Sequence, residues 1–275
     1  MTGITKPIKY PGGKAYLAEW IIGLMPEHVR YVETHFGSGA VLFAKPCDGI
    51  SEVVNDIDIR LICFWVTLAD PVRFEAFRRV VEATPLCEKL FRGALLKFNK
   101  PDYLDRAATW EIAFLYFVMC RMSRQANLKD YVSPTSRTRR GMNENVSAWL
   151  SAVEGLPEVH ERLKRVEIRN SDAVKMLALY DRPGTHFYLD PPYLHETRTD
   201  PVLYKHEMTV DQHVELLDAI ANLEHATFQL SGYPAPLYEQ YATEHGWRCE
   251  QREIDNKMSR AAVKPKKTEC LWMNY

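Results

Sequence analysis

The sequence has no uninterrupted apolar stretch as long as a helical membrane span demands, which speaks against an integral membrane protein. Its opening residues, Met1-Thr2-Gly3-Ile4-Thr5-Lys6, lack the apolar run of a secretion signal, so a soluble cytoplasmic protein is expected. The six cysteines (Cys47, Cys63, Cys87, Cys120, Cys249 and Cys270) include no C-x-x-C pair and have no cluster of histidines beside them. That spacing suits neither a disulfide framework nor a zinc site; reduced thiols and no metal are expected. An excess of one charge is also missing, since 35 Lys and Arg stand against 36 Asp and Glu, for a formal net charge of -1. Attraction to a polyanion must therefore come from local patches. There are no internal repeats and no low-complexity tract.

What is present is a chain of 275 residues, 46% hydrophobic, enough for one large domain or a catalytic domain carrying a smaller insertion. The first part alternates short strands and helices. Val29 to Glu33 reads as a strand ending at Phe36-Gly37-Ser38-Gly39, and Ser51 to Asn55 reads as a second, with a helix from about Asp58. Residues 71–165 read as mainly helical, including the apolar segment Trp110 to Met119, which is expected to be buried. Alternation resumes with a strand at Arg165 to Arg169, a helix at Asp172 to Tyr180 and a strand at Thr185 to Leu189. Thr209 is placed to cap a helix whose apolar positions Val210, Val214, Leu217, Ile220 and Leu223 recur at helical spacing. Ala226 to Leu230 and Glu269 to Tyr275 read as further strands. The pattern predicts an α/β fold: a mostly parallel sheet with helices on both faces, interrupted by a helical insertion. Ligands of such sheets bind beyond the carboxyl ends of the strands.

Gly37-Ser38-Gly39 after a strand has the form of a nucleotide-binding turn, in which small residues let the backbone approach a ligand. Taken alone it fits an ordinary strand–helix connection equally well, and the third glycine of a dinucleotide fingerprint is replaced by Leu42. Asp56, nineteen residues beyond Gly37 at the end of the next strand, is placed to accept hydrogen bonds from both hydroxyls of a ribose. The plainer alternative is that Asp56 or Asp58 caps the following helix. Together the two features suit an adenosine-type ligand without a pyrophosphate, a description that S-adenosylmethionine meets. Near the amino terminus, Tyr10-Pro11-Gly12-Gly13-Lys14 makes a tight turn with a lysine able to reach a carboxylate or phosphate, or else a surface turn with a solvated lysine.

Asp190-Pro191-Pro192-Tyr193 directly follows the strand ending at Leu189. Two prolines remove N–H donors and stiffen the backbone, leaving the Asp190 side chain and the Pro191 carbonyl as acceptors beside an aromatic ring. This set suits a flat base bearing an amino group: two acceptors grip the NH₂ hydrogens while Tyr193 stacks on the ring. An exocyclic amine is a poor nucleophile because its lone pair is delocalised. Two acceptors draw the nitrogen toward tetrahedral geometry and aim it at a methyl donor for direct in-line displacement, with no covalent enzyme nucleophile.

In this order the motifs resemble the D12 class of DNA adenine methyltransferases, the family of bacterial Dam methylases and many phage enzymes. The resemblance rests on Tyr10 to Lys14, Glu33-Thr34-His35-Phe36-Gly37-Ser38-Gly39, Asn55-Asp56-Ile57-Asp58, Asn170-Ser171-Asp172, Asp190 to Tyr193, and the ending Thr268 to Tyr275. It implies a Rossmann-like methyltransferase sheet, with residues 1–70 and 166–275 as the catalytic domain and 71–165 as an inserted target-recognition domain. It also implies that Tyr10 and Lys14 hold the cofactor, that Phe36, Gly37, Ser38 and Gly39 wrap its methionine part, and that Asp56 binds the ribose. Asp172 would meet its adenine amine, and Asp190 to Tyr193 would hold the target base. One departure is His35, where the family carries Phe two residues before the first glycine. The implied substrate is double-stranded DNA in a bacterial cell or phage-infected host. The enzyme would be a monomer or weak dimer, with a restriction endonuclease as an optional partner.

Two segments are rich in cations. Arg121, Arg124, Lys129, Arg137, Arg139 and Arg140 face one acid, Asp130, across twenty residues, and Arg137 to Gly141 reads as a loop that orders on DNA. Lys257, Arg260, Lys264, Lys266 and Lys267 form a second patch, expected as a basic hairpin before the last strand. The span Leu194 to Met208, with Arg198, reads as a lid over an extruded base. A solvated basic face is the plainer reading of the first patch. Methylation of cytosine N4 is the nearest rival chemistry, set aside because such enzymes carry Ser where Asp190 stands. A catalytically idle DNA-binding module is the rival of another class, opposed by intact Asp56, Asp190 and Tyr193.

Overall fold

The computed structural model of the protein describes residues 4–197, 205–255 and 266–275. In chain order its helices are α1 (Ala18–Gly23), α2 (Ala40–Ala44), α3 (Ile59–Ala69), α4 (Pro71–Glu82), α5 (Glu88–Phe98) and α6 (Tyr103–Arg106). They continue with α7 (Thr109–Met122), α8 (Glu144–Glu154), α9 (Leu156–Leu163), α10 (Ala173–Tyr180), α11 (Val210–Ala221) and α12 (Pro236–Glu244). The strands are β1 (Arg30–Glu33), β2 (Ser51–Asn55), β3 (Thr138–Arg139), β4 (Met142–Asn143), β5 (Val166–Arg169), β6 (Thr185–Leu189), β7 (Thr227–Gly232), β8 (Arg248–Asp255) and β9 (Lys266–Met273).

Seven strands form one sheet in the order β5-β2-β1-β6-β7-β9-β8, the expected α/β class. The β2-β1-β6-β7 run is parallel, whereas β9 pairs antiparallel with both β7 and β8. β8 was not foreseen, because its sequence, Arg248 to Asp255, is polar and charged at most positions. Only pairing with the apolar β9 identifies it as an edge strand. By contrast, Thr209 caps α11 as expected, within a full capping box: its hydroxyl accepts from the Gln212 N–H while the Gln212 side chain accepts from the Thr209 N–H.

The chain divides into two compact units. The first comprises Met1–Trp20, Gly37–Pro46 and Asp58–Asn170. Its core is aromatic, with Phe64 of α3 stacked on Phe117 of α7 at 5.7 Å while Phe77 and Trp149 pack around Phe117. The foreseen buried segment is the body of α7, although Trp110 at its start is exposed. The second unit comprises Ile21–Phe36, Cys47–Ile57 and Ser171–Tyr275. Strand alternation gives its sheet two different faces. Val32, Val53, Phe187, Leu189, Phe228, Leu230 and Trp272 join a continuous apolar core with α10, α11 and α12. The opposite face carries Tyr31, Glu33, Tyr188, Gln229, Ser231 and Glu269, all buried. Their polar atoms are paired: Tyr31 donates to Glu33 at 3.0 Å, Tyr188 and Ser231 share a 3.0 Å hydrogen bond, and Gln229 donates to the Ile21 carbonyl at 3.2 Å.

Candidate active site

β1, β2 and β6 are parallel neighbours, so their carboxyl ends share one edge of the sheet. Asp56 leaves that edge after β2 and Asp190 leaves it after β6. Asp56 is buried, at 8% exposure. The capping alternative belongs to Asp58, whose carboxylate accepts the Arg60 N–H at 3.0 Å at the start of α3. Asn55, the last residue of β2, stitches the edge together. Its amide donates to the carbonyls of Thr34 (3.0 Å) and Ser171 (2.9 Å), and its oxygen accepts the Ser171 N–H (2.8 Å). Asp172 therefore emerges beside the end of β2, where it caps α10 by accepting from the N–H groups of Val174 and Lys175. The Phe36 N–H donates to the Asn55 carbonyl at 2.8 Å and the Phe36 side chain is buried.

His35 shares a 2.9 Å hydrogen bond with the Thr34 hydroxyl. Burial, and then the nearby His213, lower its pKa from the ordinary 6.5 to about 4 despite the opposing field of Asp172. The ring is neutral at physiological pH, an uncharged planar group beside the turn.

Beyond β6, the Tyr193 hydroxyl donates to the Glu269 carboxylate on β9. Its ring meets that of Tyr233 edge-on at 4.7 Å and 76°. Burial, followed by the charges of Glu269 and Asp190, pushes the Tyr193 phenol well above its ordinary pKa, so it remains a protonated donor. A cavity of about 500 Å³ opens beside this pair, lined by Glu196, Thr197, Tyr233, Pro234, Pro236 and Lys267, among others.

The other motifs lie in the first unit. Gly37 has φ +49°, and a Cβ there would stand 3.2 Å from the Tyr10 ring, so the ring lies directly against the turn. Gly39, with φ +68°, turns the chain into α2. The Trp65 indole N–H donates to the Gly37 carbonyl at 3.2 Å, which fixes the turn from α3. Ser38 is buried. Lys14 is 5% exposed and donates to the Gly12 carbonyl at 3.2 Å, which removes the reading of a solvated surface lysine. Arg60 grips Asp58 through Nε (2.9 Å) and Nη2 (2.5 Å) and lies 5.4 Å from the centre of the Tyr116 ring. Burial alone would lower the Arg60 pKa, but hydrogen bonding to Asp58 and its charge outweigh that and raise it.

The cationic residues differ in their surroundings. Arg121 is partly buried at the end of α7 and donates to the Ala148 carbonyl at 2.5 Å, and desolvation lowers its pKa to about 10. Arg124 pairs with Asp130 at 2.8 Å and Arg140 with Glu154 at 2.8 Å. Lys129, Arg137 and Arg139 are exposed and form no ion pair among the described residues. Arg137 to Gly141 contributes to the two-stranded β3–β4 hairpin rather than a free loop, because Arg140 and Gly141 both take positive φ at its turn. Lys266 pairs with Glu253 across β8 and β9 at 2.6 Å. Arg198, Lys257, Arg260 and Lys264 lie outside the described residues, as do the tip of the expected basic hairpin and part of the lid span.

Sequence reasoning passed over Asn55 as a clamp, Tyr233 as a neighbour of Tyr193, and Glu269. A lone acid opening the apolar run Cys270 to Met273 was the available signal for Glu269.

The sequence model of the D12 class N6 adenine-specific DNA methyltransferases matches residues 10–260. Among solved structures, the chain is similar to a precorrin-6y C5,15-methyltransferase from Geobacter metallireducens at 8% identity, covering 94% of this chain and 86% of that one with a TM-score of 0.38. It is also similar to protein LPL1258 from Legionella pneumophila at 14% identity, covering 94% and 81% with a TM-score of 0.30. No curated protein matches the chain.

Proposed function

Because this chain belongs to the D12 class of N6 adenine-specific DNA methyltransferases, which transfer a methyl group from S-adenosylmethionine to DNA adenine, we propose how its own residues divide that work. The family match over residues 10–260 is the observation that carries the reading. Tyr10, Lys14, Phe36, Gly37, Ser38, Gly39, Asp56 and Asp172 hold the cofactor. In the first unit the Tyr10 ring lies against the glycine turn, and in the second a buried carboxylate follows β2; each is a group that an adenosine carrying an amino-acid tail can use. When bound, the cofactor supplies an electrophilic methyl group on a sulfonium.

Asp190 and the Pro191 carbonyl accept the two hydrogens of the adenine amine, Pro192 stiffens the turn, and Tyr193 stacks on the base. The amine nitrogen is thereby aimed for in-line displacement, and the rate advantage comes from positioning and electrostatics. The base leaves the duplex to reach this site, at a cost of about a few kcal/mol in lost pairing and stacking. Residues 71–165 form the target-recognition insertion in this reading. Within its segment 121–140, exposed Lys129, Arg137 and Arg139 are offered as contacts for phosphates of double-stranded DNA.

Incubation of DNA with labelled cofactor, followed by nucleoside analysis, tests the chemistry. N6-methyladenine is expected, and N4-methylcytosine without it overturns the assignment. Asp190→Ala is expected to abolish transfer while retaining the wild-type circular dichroism spectrum; near-normal turnover by that variant removes Asp190 from the mechanism. Replacing Arg137 and Arg139 with Ala is expected to reduce the slope of log affinity against log salt by about 2. An unchanged slope places the phosphate contacts elsewhere.

A further inference from the structure

We infer that Glu269, on the last strand, is a positioning residue for methyl transfer: by accepting the Tyr193 hydroxyl, it sets the plane of the ring on which the target base stacks. The inference rests on the reading of Asp190 to Tyr193 as the base-holding motif and adds to it a residue from the far end of the chain.

Glu269 is 1% exposed and opens the buried run Cys270 to Met273. A carboxylate at such a position is costly to desolvate unless hydrogen-bonded, and packing alone would be served better by an apolar residue. Its partner here is the Tyr193 hydroxyl, 76 residues away in sequence. Stacking on a base needs only the π face, which a phenylalanine offers equally, so the hydroxyl is useful as an anchor. That anchor persists across the working pH range, because burial and the Glu269 and Asp190 charges keep the phenol protonated.

A second restraint completes the geometry. Tyr233 directly follows Gly232, whose register partner is Cys270, so Tyr233 and Glu269 lie at the same end of the β7–β9 ladder. The edge-on contact of Tyr233 blocks rotation of the Tyr193 ring from one side while Glu269 holds its tip. Lys267, two residues before Glu269 and on the same face of β9, places its ammonium 4.4 Å from the Tyr233 ring centre and secures the buttress in turn. β9 thus reaches both tyrosines, and the ring presented to the base has one orientation.

The test compares Glu269→Leu, Glu269→Gln and Tyr193→Phe in the full-length enzyme, using single-turnover methyl transfer at saturating DNA and cofactor with cofactor affinity from calorimetry. Glu269→Leu and Tyr193→Phe are each expected to slow transfer by ~10-fold or more with cofactor affinity unchanged. The double variant is expected to be no slower than the worse single one, since both remove the same interaction. Glu269→Gln, whose amide oxygen still accepts the hydroxyl, is expected to stay within ~3-fold of wild type. Full-speed transfer by Tyr193→Phe overturns the inference even if Glu269→Leu fails to fold, and so do additive losses in the double variant. If Asp190→Ala also transfers normally, the base-holding reading itself has failed. If Asp190→Ala is dead while Tyr193→Phe is unimpaired, only the role of Glu269 has.

Discussion

The two faces of the central sheet are both buried, yet one is apolar throughout while the other sets paired polar groups among apolar residues such as Val54, Leu271 and Met273. One face, with Val32, Val53, Phe187, Leu189, Phe228, Leu230 and Trp272, is apolar throughout and merges with the packing of α10, α11 and α12. The other holds hydroxyls, an amide and carboxylates in a paired set: Tyr31 with Glu33, Tyr188 with Ser231, and Glu269 with Tyr193. Burying apolar area stabilises a fold without specifying direction. Buried polar pairs contribute little net stability but hold side chains at defined angles. The contrast teaches that stability and orientation are assigned to different sides of the same strands. The proposed base platform hangs from the oriented side.

The largest effect is expected on the apolar face. Phe187→Ala removes a fully buried ring between Val32 and Phe228 of the neighbouring strands and is expected to cost ~3–5 kcal/mol in urea unfolding. A cost below ~1 kcal/mol would show that this face does not carry the stability assigned to it.

His35, two residues beyond Glu33, gives the next effect. Its folded pKa of about 4 lies below the ordinary 6.5, so the unfolded chain binds the extra proton between those values. Stability is therefore complete above about pH 6.5 and falls as pH drops toward 4, by on the order of 3 kcal/mol from this residue. His35→Phe is expected to remove that part of the slope in denaturation midpoints measured from pH 7 to 4.5. An identical slope in the variant would mean that His35 charges freely in the folded state.

Tyr188→Phe should give the smallest change. It breaks the 3.0 Å bond to Ser231 and is expected to cost ~1 kcal/mol, with Phe packing in the same space. A loss as large as that of Phe187→Ala would erase the distinction between the faces.

Much of this was legible in the residues. The Asp190-Pro191-Pro192-Tyr193 motif, the Gly37-Ser38-Gly39 turn and Asp56 each follow an apolar strand, and strand-helix alternation announced the parallel sheet. Periodicity and capping are local signals, which is why α11 and its Thr209 cap were readable. β8 was not, because its charged sequence becomes a strand only through pairing with β9. The burial of Lys14 and the hairpin at Arg137 to Gly141 likewise depend on what the rest of the fold brings near them.

The motif proposed to carry the chemistry was thus determined by the sequence itself: an acid, two prolines and an aromatic ring in succession, whose donors and acceptors follow from residue type. What holds that ring was decided by tertiary structure. Glu269 and Tyr233 lie 76 and 40 residues from Tyr193; the parallel pairing of β7 with β6 brings Tyr233 to it, and β9 running antiparallel beside β7 brings Glu269. A hydrogen bond acts over about 3 Å, so no spacing along the chain could have announced it.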